Sequence, residues 1–305
     1  MANIPTFALP STFLAIPRQT SDASVCIAGI PFDLGTTNRS GARFAPAAIR
    51  QASRMLVDGD HPHWRLDPAA MSVADVGDFR ISLGDIVGSL ALIEQQASAI
   101  DQLIALGGDH TVTLPILRAA AKRHGQPLAL VHFDAHVDTW PDNFGQPYAH
   151  GSVFYHAIEE RLIDPCRTVQ IGIRSPVSNE VYDWTVAKGV TILSAQDAHE
   201  LGPKYIAEQA ATIVGDAPAY LSFDIDALDP AFAPGTGTPE IGGLASWQMQ
   251  AILRRLKRVQ FVGMDLVEVA PPYDIAEITS LAAATIVWEY ISLQFEDKMS
   301  AKDVT

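Results

Sequence analysis

The chain has 305 residues, 48% of them hydrophobic, and 21 basic against 35 acidic side chains give a net charge of −14. That length and apolar content can bury a large core. The acidic balance argues against a protein that coats nucleic-acid phosphates and leans toward cationic or metal partners.

In chain order, residues 1–20 (MANIPTFALPSTFLAIPRQT) lack a basic stretch and are broken by prolines, so 1–23 read as an N-terminal extension rather than a signal peptide. Candidate strands follow at 24–30, 102–108, 128–134, 168–173, 189–193, 219–225 and 259–265, each apolar on both faces. Helical patterns lie between them at 84–100, 112–124, 151–162, 204–215, 246–256 and 276–293. Strands buried on both faces and alternating with helices imply a three-layer α/β/α domain around a mostly parallel sheet. No linker, repeat or charge block interrupts the pattern, so 1–305 reads as one domain, with long polar loops at 31–45 and 139–150.

No apolar run reaches the roughly 18–20 residues that a membrane helix needs. The nearest, LAAATIVW at 281–288, stops at Glu289. Cys26 and Cys166 are far apart and lack CxxC spacing, which points to a reducing compartment rather than a disulfide framework or zinc ribbon. The expectation is a cytoplasmic protein with neither a nucleic-acid nor a membrane partner.

In parallel α/β sheets, ligands gather outside the carboxyl ends of the strands. Three apolar runs end in chemistry: GGDH at 107–110, DAHVD at 134–138 and DIDALD at 224–229. Alternation along an extended chain turns Asp134, His136 and Asp138 to one side, and does the same for Asp224 and Asp226. With His110, this makes four carboxylates and two imidazoles, a crowd that is costly unless something positive sits among them. Two divalent ions sharing bridging carboxylates would use them all. A carboxylate-rich set without thiolate favours manganese, with nickel or cobalt able to take the same ligands. Two such ions acidify the water between them, so the expected chemistry is hydrolysis.

The segments GGDHTVTLP (107–115), VHFDAHVDT (131–139), SFDIDALDPAFAPGTGTPEIGG (222–243) and GMDLVEVAPPYD (263–274) resemble the ureohydrolase family of arginases, agmatinases and related guanidino-compound hydrolases. The likeness covers about residues 25–290, and within the family it looks closest to agmatinases. It implies an arginase/deacetylase-like fold and a pair of manganese ions held by His110, Asp134, His136, Asp138, Asp224 and Asp226. Hydroxide between the ions would attack a guanidinium carbon, releasing urea and an amine, with Asp138 orienting the hydroxide. Glu268 matches the carboxylate that holds the guanidinium, a planar bidentate partner. His150 matches the histidine that passes a proton to the departing amine. Thr238 sits where the family keeps a hydroxyl behind the ligands. The family also implies a homo-oligomer, a trimer or a pair of trimers.

The substrate is less defined. Residues 139–150 (TWPDNFGQPYAH) lack the asparagine- and serine-rich pattern of arginases, which favours agmatine, with Asp142 and Asn143 facing its far amine. The alternative is a guanidino acid such as 4-guanidinobutyrate, for which Arg39 and Arg43 offer positive partners; a biguanide or free guanidine is a further one. A non-catalytic partner subunit or a binuclear phosphoesterase fits less well. Every candidate ligand is present, and the segments near the DxD motifs carry acid where phosphate would need base. His132 reads as core or as support for the ligands, Asp229 as a turn former, and His61, His63, His124 and His199 as exposed.

Overall fold

The computed structural model describes residues 11–16 and 23–302, with side chains as far as residue 295. Among the described residues, eight strands form the sheet: β1 (Val25–Gly29), β2 (Val73–Asp78), β3 (Leu103–Leu106), β4 (Leu128–Phe133), β5 (Ile163–Ile173), β6 (Thr191–Ser194), β7 (Ala219–Asp224) and β8 (Phe261–Val267). Their order is β2-β1-β3-β8-β7-β4-β5-β6, and every pairing is parallel. The helices are α1 (Ala45–Ser53), α2 (Ile86–Ala97), α3 (Thr113–His124), α4 (Val153–Glu159), α5 (Asn179–Lys188), α6 (Ala195–Val214), α7 (Ser246–Leu253) and α8 (Ile278–Lys302).

Alternation along the strands splits the core into two layers. Ile104 and Leu106 of β3 join a cluster with α1, α6, α7 and α8, while Leu103 and Ala105 join one with α2, α3 and α4. Helices therefore cover both faces, as continuous apolar strands require. The three-layer α/β/α arrangement is the one the sequence implies.

Local signals set the boundaries. Asp85 caps α2 by accepting from Gly88 N at 2.9 Å, and Gly125 ends α3 at a φ of 66°. The expected helix at 204–215 is the second part of α6, which begins at Ala195 and kinks at Gly202 (φ 78°) before Pro203. Strand β2 and helices α1 and α5 were not expected from the sequence. The β2 sequence VADVGD and the α1 sequence APAAIRQAS each carry buried charge. Arg50 of α1 lies 2.8 Å from Asp75 and 2.5 Å from Asp78, both of β2. This pairing lets polar residues occupy core positions and blurs the apolar period of both elements.

One reading is corrected. His61 is fully buried, not exposed; its ring stacks 3.9 Å from that of Trp288 and its Nε2 lies 3.2 Å from Glu289 Oε2. Glu289, the acid that interrupts the apolar run 281–288, is buried too and pairs with Arg254 as well as His61. Of the segment 1–23, Phe13 and Leu14 are buried, and Phe13 N donates to Asp75 Oδ2 at 2.8 Å; residues 1–10 and 17–22 lie outside the described residues. Among the described residues, no helix is long and apolar enough to cross a membrane.

Candidate metal centre and active site

The middle four strands, β3-β8-β7-β4, deliver the site. His110 opens the turn after β3, Asp134 follows β4, Asp224 ends β7 and Glu268 follows β8. Parallel pairing aligns these strand ends on one rim. Backbone contacts lock the rim: Asp109 N donates to Phe32 O at 2.8 Å, and Glu268 N to Gly108 O at 2.9 Å. No side chain fits at Gly108, where a Cβ would meet Phe32 O at 1.7 Å.

Six of the expected residues converge. His110 Nδ1 lies 2.9 Å from Asp138 Oδ2, 3.3 Å from Asp134 Oδ2 and 3.4 Å from Asp224 Oδ2. His136 Nδ1 lies 3.2 Å from Asp134 Oδ1 and 3.1 Å from Asp226 Oδ2. The two groups share Asp134, whose Oδ2 faces His110 and whose Oδ1 faces His136. Thr238 Oγ1 stands 3.5 Å from Asp226 Oδ2.

The electrostatics are extreme. Burial, with Asp226 and Asp134 beside it, pushes the Asp224 carboxyl well above the usual range. Burial and Asp134 likewise raise Asp226. Burial also favours a neutral Asp134, but the three histidines around it outweigh that and hold it well below. Carboxylates in this arrangement either take up protons or share cations.

The residues fit a metal. His110 Nε2 lies 2.8 Å from Ser222 Oγ, which itself donates to Asp265 Oδ1 at 2.8 Å; Thr113 Oγ1 donates to Asp265 Oδ2 at 2.8 Å. That chain leaves Ser222 Oγ to accept from Nε2–H, so in the neutral ring Nδ1 keeps its lone pair. Nδ1 is buried and makes no hydrogen bond of good geometry, although three carboxylate oxygens surround it. A buried imidazole with one nitrogen anchored and the other turned bare toward oxygens is how a ligand histidine is prepared. His132 is close enough to belong to such a group, yet its Nε2 is 2.8 Å from Asp134 Oδ2 and its Nδ1 is 3.2 Å from Gln170 Nε2. With both nitrogens engaged, it supports Asp134 instead of ligating.

Asp138 and Glu268 have left-handed backbones, with φ of 50° and 64°, although neither is glycine. Each costs of the order of 1–3 kcal/mol, and such strain concentrates at functional sites. Asp138 O accepts from Phe154 N at 2.9 Å, which helps to hold its turn. Glu268 Oε1 accepts from His110 N at 2.8 Å and faces His150 Nδ1 at 3.2 Å. Burial opposes charging the His150 ring, but Glu268, with Asp138 and Asp109 farther off, pushes its pKa up to about 9.

A cavity of about 330 Å³ opens beside this cluster, lined by His136, Asp138, Asp224, Thr238, His150 and the loop from Trp140 to Phe144, among others. Asp142 and Asn143 therefore reach the cavity wall, Asp142 exposed and accepting from Gly145 N at 2.8 Å. Glu268 lies beneath His150 and not on the wall. Arg43 pairs with Asp33, and the Arg39 guanidinium lies 5.1 Å over the Tyr273 ring; neither lines the cavity.

Some working residues escaped the sequence reading. Ser222 shares the strand parity of Asp224 and Asp226 and could have been found by it. Asp265, Thr113 and Asp109 carried no such signal. Asp109 is fully buried, accepts from Gly35 N at 2.7 Å and Thr111 N at 3.0 Å, and is pushed up to about 7 by burial and by Glu268.

A parallel α/β/α sheet carrying paired His/Asp clusters at its central strand ends defines a metal-site hydrolase. The family model described as "Arginase family" matches residues 23–292, and the chain belongs to the arginase family of ureohydrolases, which hydrolyse amidine C–N bonds at a binuclear metal site. It is 46% identical over 296 residues to an agmatinase of Cronobacter sakazakii, covering 94% of each chain. It is 44% identical over 303 residues to a guanidinopropionase of Pseudomonas aeruginosa, covering 97% of this chain and 95% of the other. The solved proclavaminate amidino hydrolase of Streptomyces clavuligerus superposes with a TM-score of 0.91 at 39% identity, over 96% of this chain and 100% of that one.

Proposed function

We propose that the protein hydrolyses agmatine to urea and putrescine. Its similarity to agmatinases supports the reading, and the cavity carries it: no lysine or arginine is among its lining residues, while Asp142 is. A guanidino acid would bring its carboxylate beside Asp142, with no lysine or arginine of the lining to receive it. Agmatine would bring an ammonium there instead.

His110, Asp134, Asp138 and Asp224 would hold one cation, and His136 and Asp226, with the shared Asp134, a second. Manganese is the first choice for such oxygen-rich sites, with nickel or cobalt as alternatives. Two such ions, when bound, would lower the pKa of bound water toward neutrality and so supply the nucleophile. Asp138 orients the attacking oxygen. Glu268 has Oε1 engaged by His110 N and His150, which leaves Oε2 for the guanidinium. His150, buried and inclined to hold a proton, supplies it to the departing nitrogen, which leaves poorly without one. Thr238 steadies Asp226. Asp142 and Asn143 meet the far amine.

A single domain over 1–305, a homo-oligomer (a trimer or pair of trimers) and a cytoplasmic location complete the proposal.

The test is urea release from agmatine, 4-guanidinobutyrate, 3-guanidinopropionate, arginine and guanidine with manganese present. Agmatine should show the highest kcat/KM. A higher value for either guanidino acid would overturn the substrate, and no urea from any of them would overturn the catalytic reading.

A further inference from the structure

His150 is held on three sides. Its backbone N donates to Gly35 O at 3.2 Å, its Nδ1 lies 3.2 Å from Glu268 Oε1, and its Nε2 lies 2.7 Å from Thr37 Oγ1 and 3.3 Å from Thr37 N. A backbone N–H can only donate, whereas a hydroxyl both donates and accepts. The neutral ring, with its proton on Nδ1 toward Glu268, receives both Thr37 groups at Nε2. The charged ring has a proton on Nε2 that only Oγ1 can accept. Thr37 is exposed and His150 is 8% exposed, and both line the cavity, so the hydroxyl and the ring meet at its wall.

The loop bearing Thr37 is pinned in place. Gly35 N donates to Asp109 Oδ2 at 2.7 Å, and a Cβ on Gly35 would meet Thr111 Oγ1 at 2.1 Å. The other titratable groups acting on His150 come from elsewhere in the fold: Glu268 after β8, Asp138 after β4 and Asp109 after β3.

We propose that Thr37 is a positioning residue for proton delivery: its hydroxyl gives His150 Nε2 a partner in both protonation states and fixes the ring's orientation toward the departing amine. This rests on the reading of His150 as the proton donor.

Thr37→Val removes the hydroxyl but keeps shape and backbone N–H, and Thr37→Ser keeps the hydroxyl. Since general acids contribute about 10²–10⁴-fold, Thr37→Val should lower kcat roughly 10- to 100-fold, with KM within about threefold. Bound metal per subunit should not change, and Thr37→Ser should recover most of the turnover. On a His150→Asn background, Thr37→Val should cost almost nothing further, because the two act as a unit. Ring-¹⁵N spectra, with the His150 signals assigned by their loss in His150→Asn, should move in the valine variant and not in the serine one. The kcat profile of the valine variant should also lose its charged-ring activity at a lower pH. Should Thr37→Val not fold, Thr37→Ala is read the same way.

Unmoved ring signals with turnover within about twofold of the parent, a serine variant as impaired as the valine one, or an equal loss on the His150→Asn background would each overturn the proposal. Full turnover in His150→Asn alone would instead remove His150 as the proton donor, while the spectra would still report whether Thr37 holds the ring.

Discussion

His110 Nε2 and Ser222 Oγ lie 2.8 Å apart, and Ser222 is committed as a donor to Asp265. This pair decides which imidazole nitrogen faces the carboxylates. Ser222→Ala frees the ring to turn or change tautomer, and metal affinity should fall about 10–100-fold. Metal retained after dialysis against graded chelator checks it. Asp265→Asn, which weakens the same chain one step back, should shift affinity the same way.

Cation removal should destabilise the fold, because the carboxylates are then left without their partners. An ion present at 100 times its Kd stabilises by about 2.7 kcal/mol. Melting with and without manganese after chelation should show a lower Tm for the stripped protein and recovery on adding metal back. An unchanged Tm would count against a tight site.

Asp226→Ala should reduce bound metal from two ions per subunit toward one. Asp226 serves the His136 group and not the His110 Nδ1 contacts. Elemental analysis of purified protein gives the stoichiometry, and urea release should fall with it.

Asp142→Ala should raise the KM for agmatine while leaving kcat nearly unchanged. Exposed ion pairs contribute about 0.2–1 kcal/mol, so the change should be modest, roughly up to fivefold. Steady-state kinetics decide it, and Asn143→Ala serves as the parallel test of the neighbouring position. No change in KM for either variant would place the amine elsewhere.

Away from the site, Glu289 is buried between His61 and Arg254. Removing one member of a buried charge pair costs about 3–5 kcal/mol, so Glu289→Ala should lower the Tm by several degrees or more. Burial pushes the Glu289 carboxyl up, but its bonds to His61 and Arg254 prevail and hold it below its ordinary 4.5. Its stabilising contribution is therefore complete above pH 4.5 and is lost as pH falls through the lower folded-state value. Comparing parent and variant melts across acid pH should show the gap between them closing.

Much of this was legible in the sequence because strand parity and strand ends are local properties. Asp134, Asp224 and Asp226 were found by alternation and by the exit of an apolar run. Which strands neighbour one another is not local, so the contact between Ser222 and Asp265 across β7 and β8 could not be read from either segment alone. Burial misled for the same reason: His61 reads as solvent-facing until its partners Trp288 and Glu289, distant in sequence, are in place. The contribution of Asp109 is likewise invisible beside its neighbour His110, since its partners Gly35 and Thr36 lie 74 and 73 residues away.

The position of β8 has a consequence for how the molecule comes into being. It is the last strand in the chain but sits between β3 and β7, in the middle of the sheet. As the polypeptide leaves the ribosome, His110 and the aspartates after β4 and β7 are made well before the strand that brings them into register. Pairings of such long sequence separation form slowly. Capture of the cations should thus be a closing event of maturation, and a nascent chain stalled before residue 261 should bind none of them at native affinity.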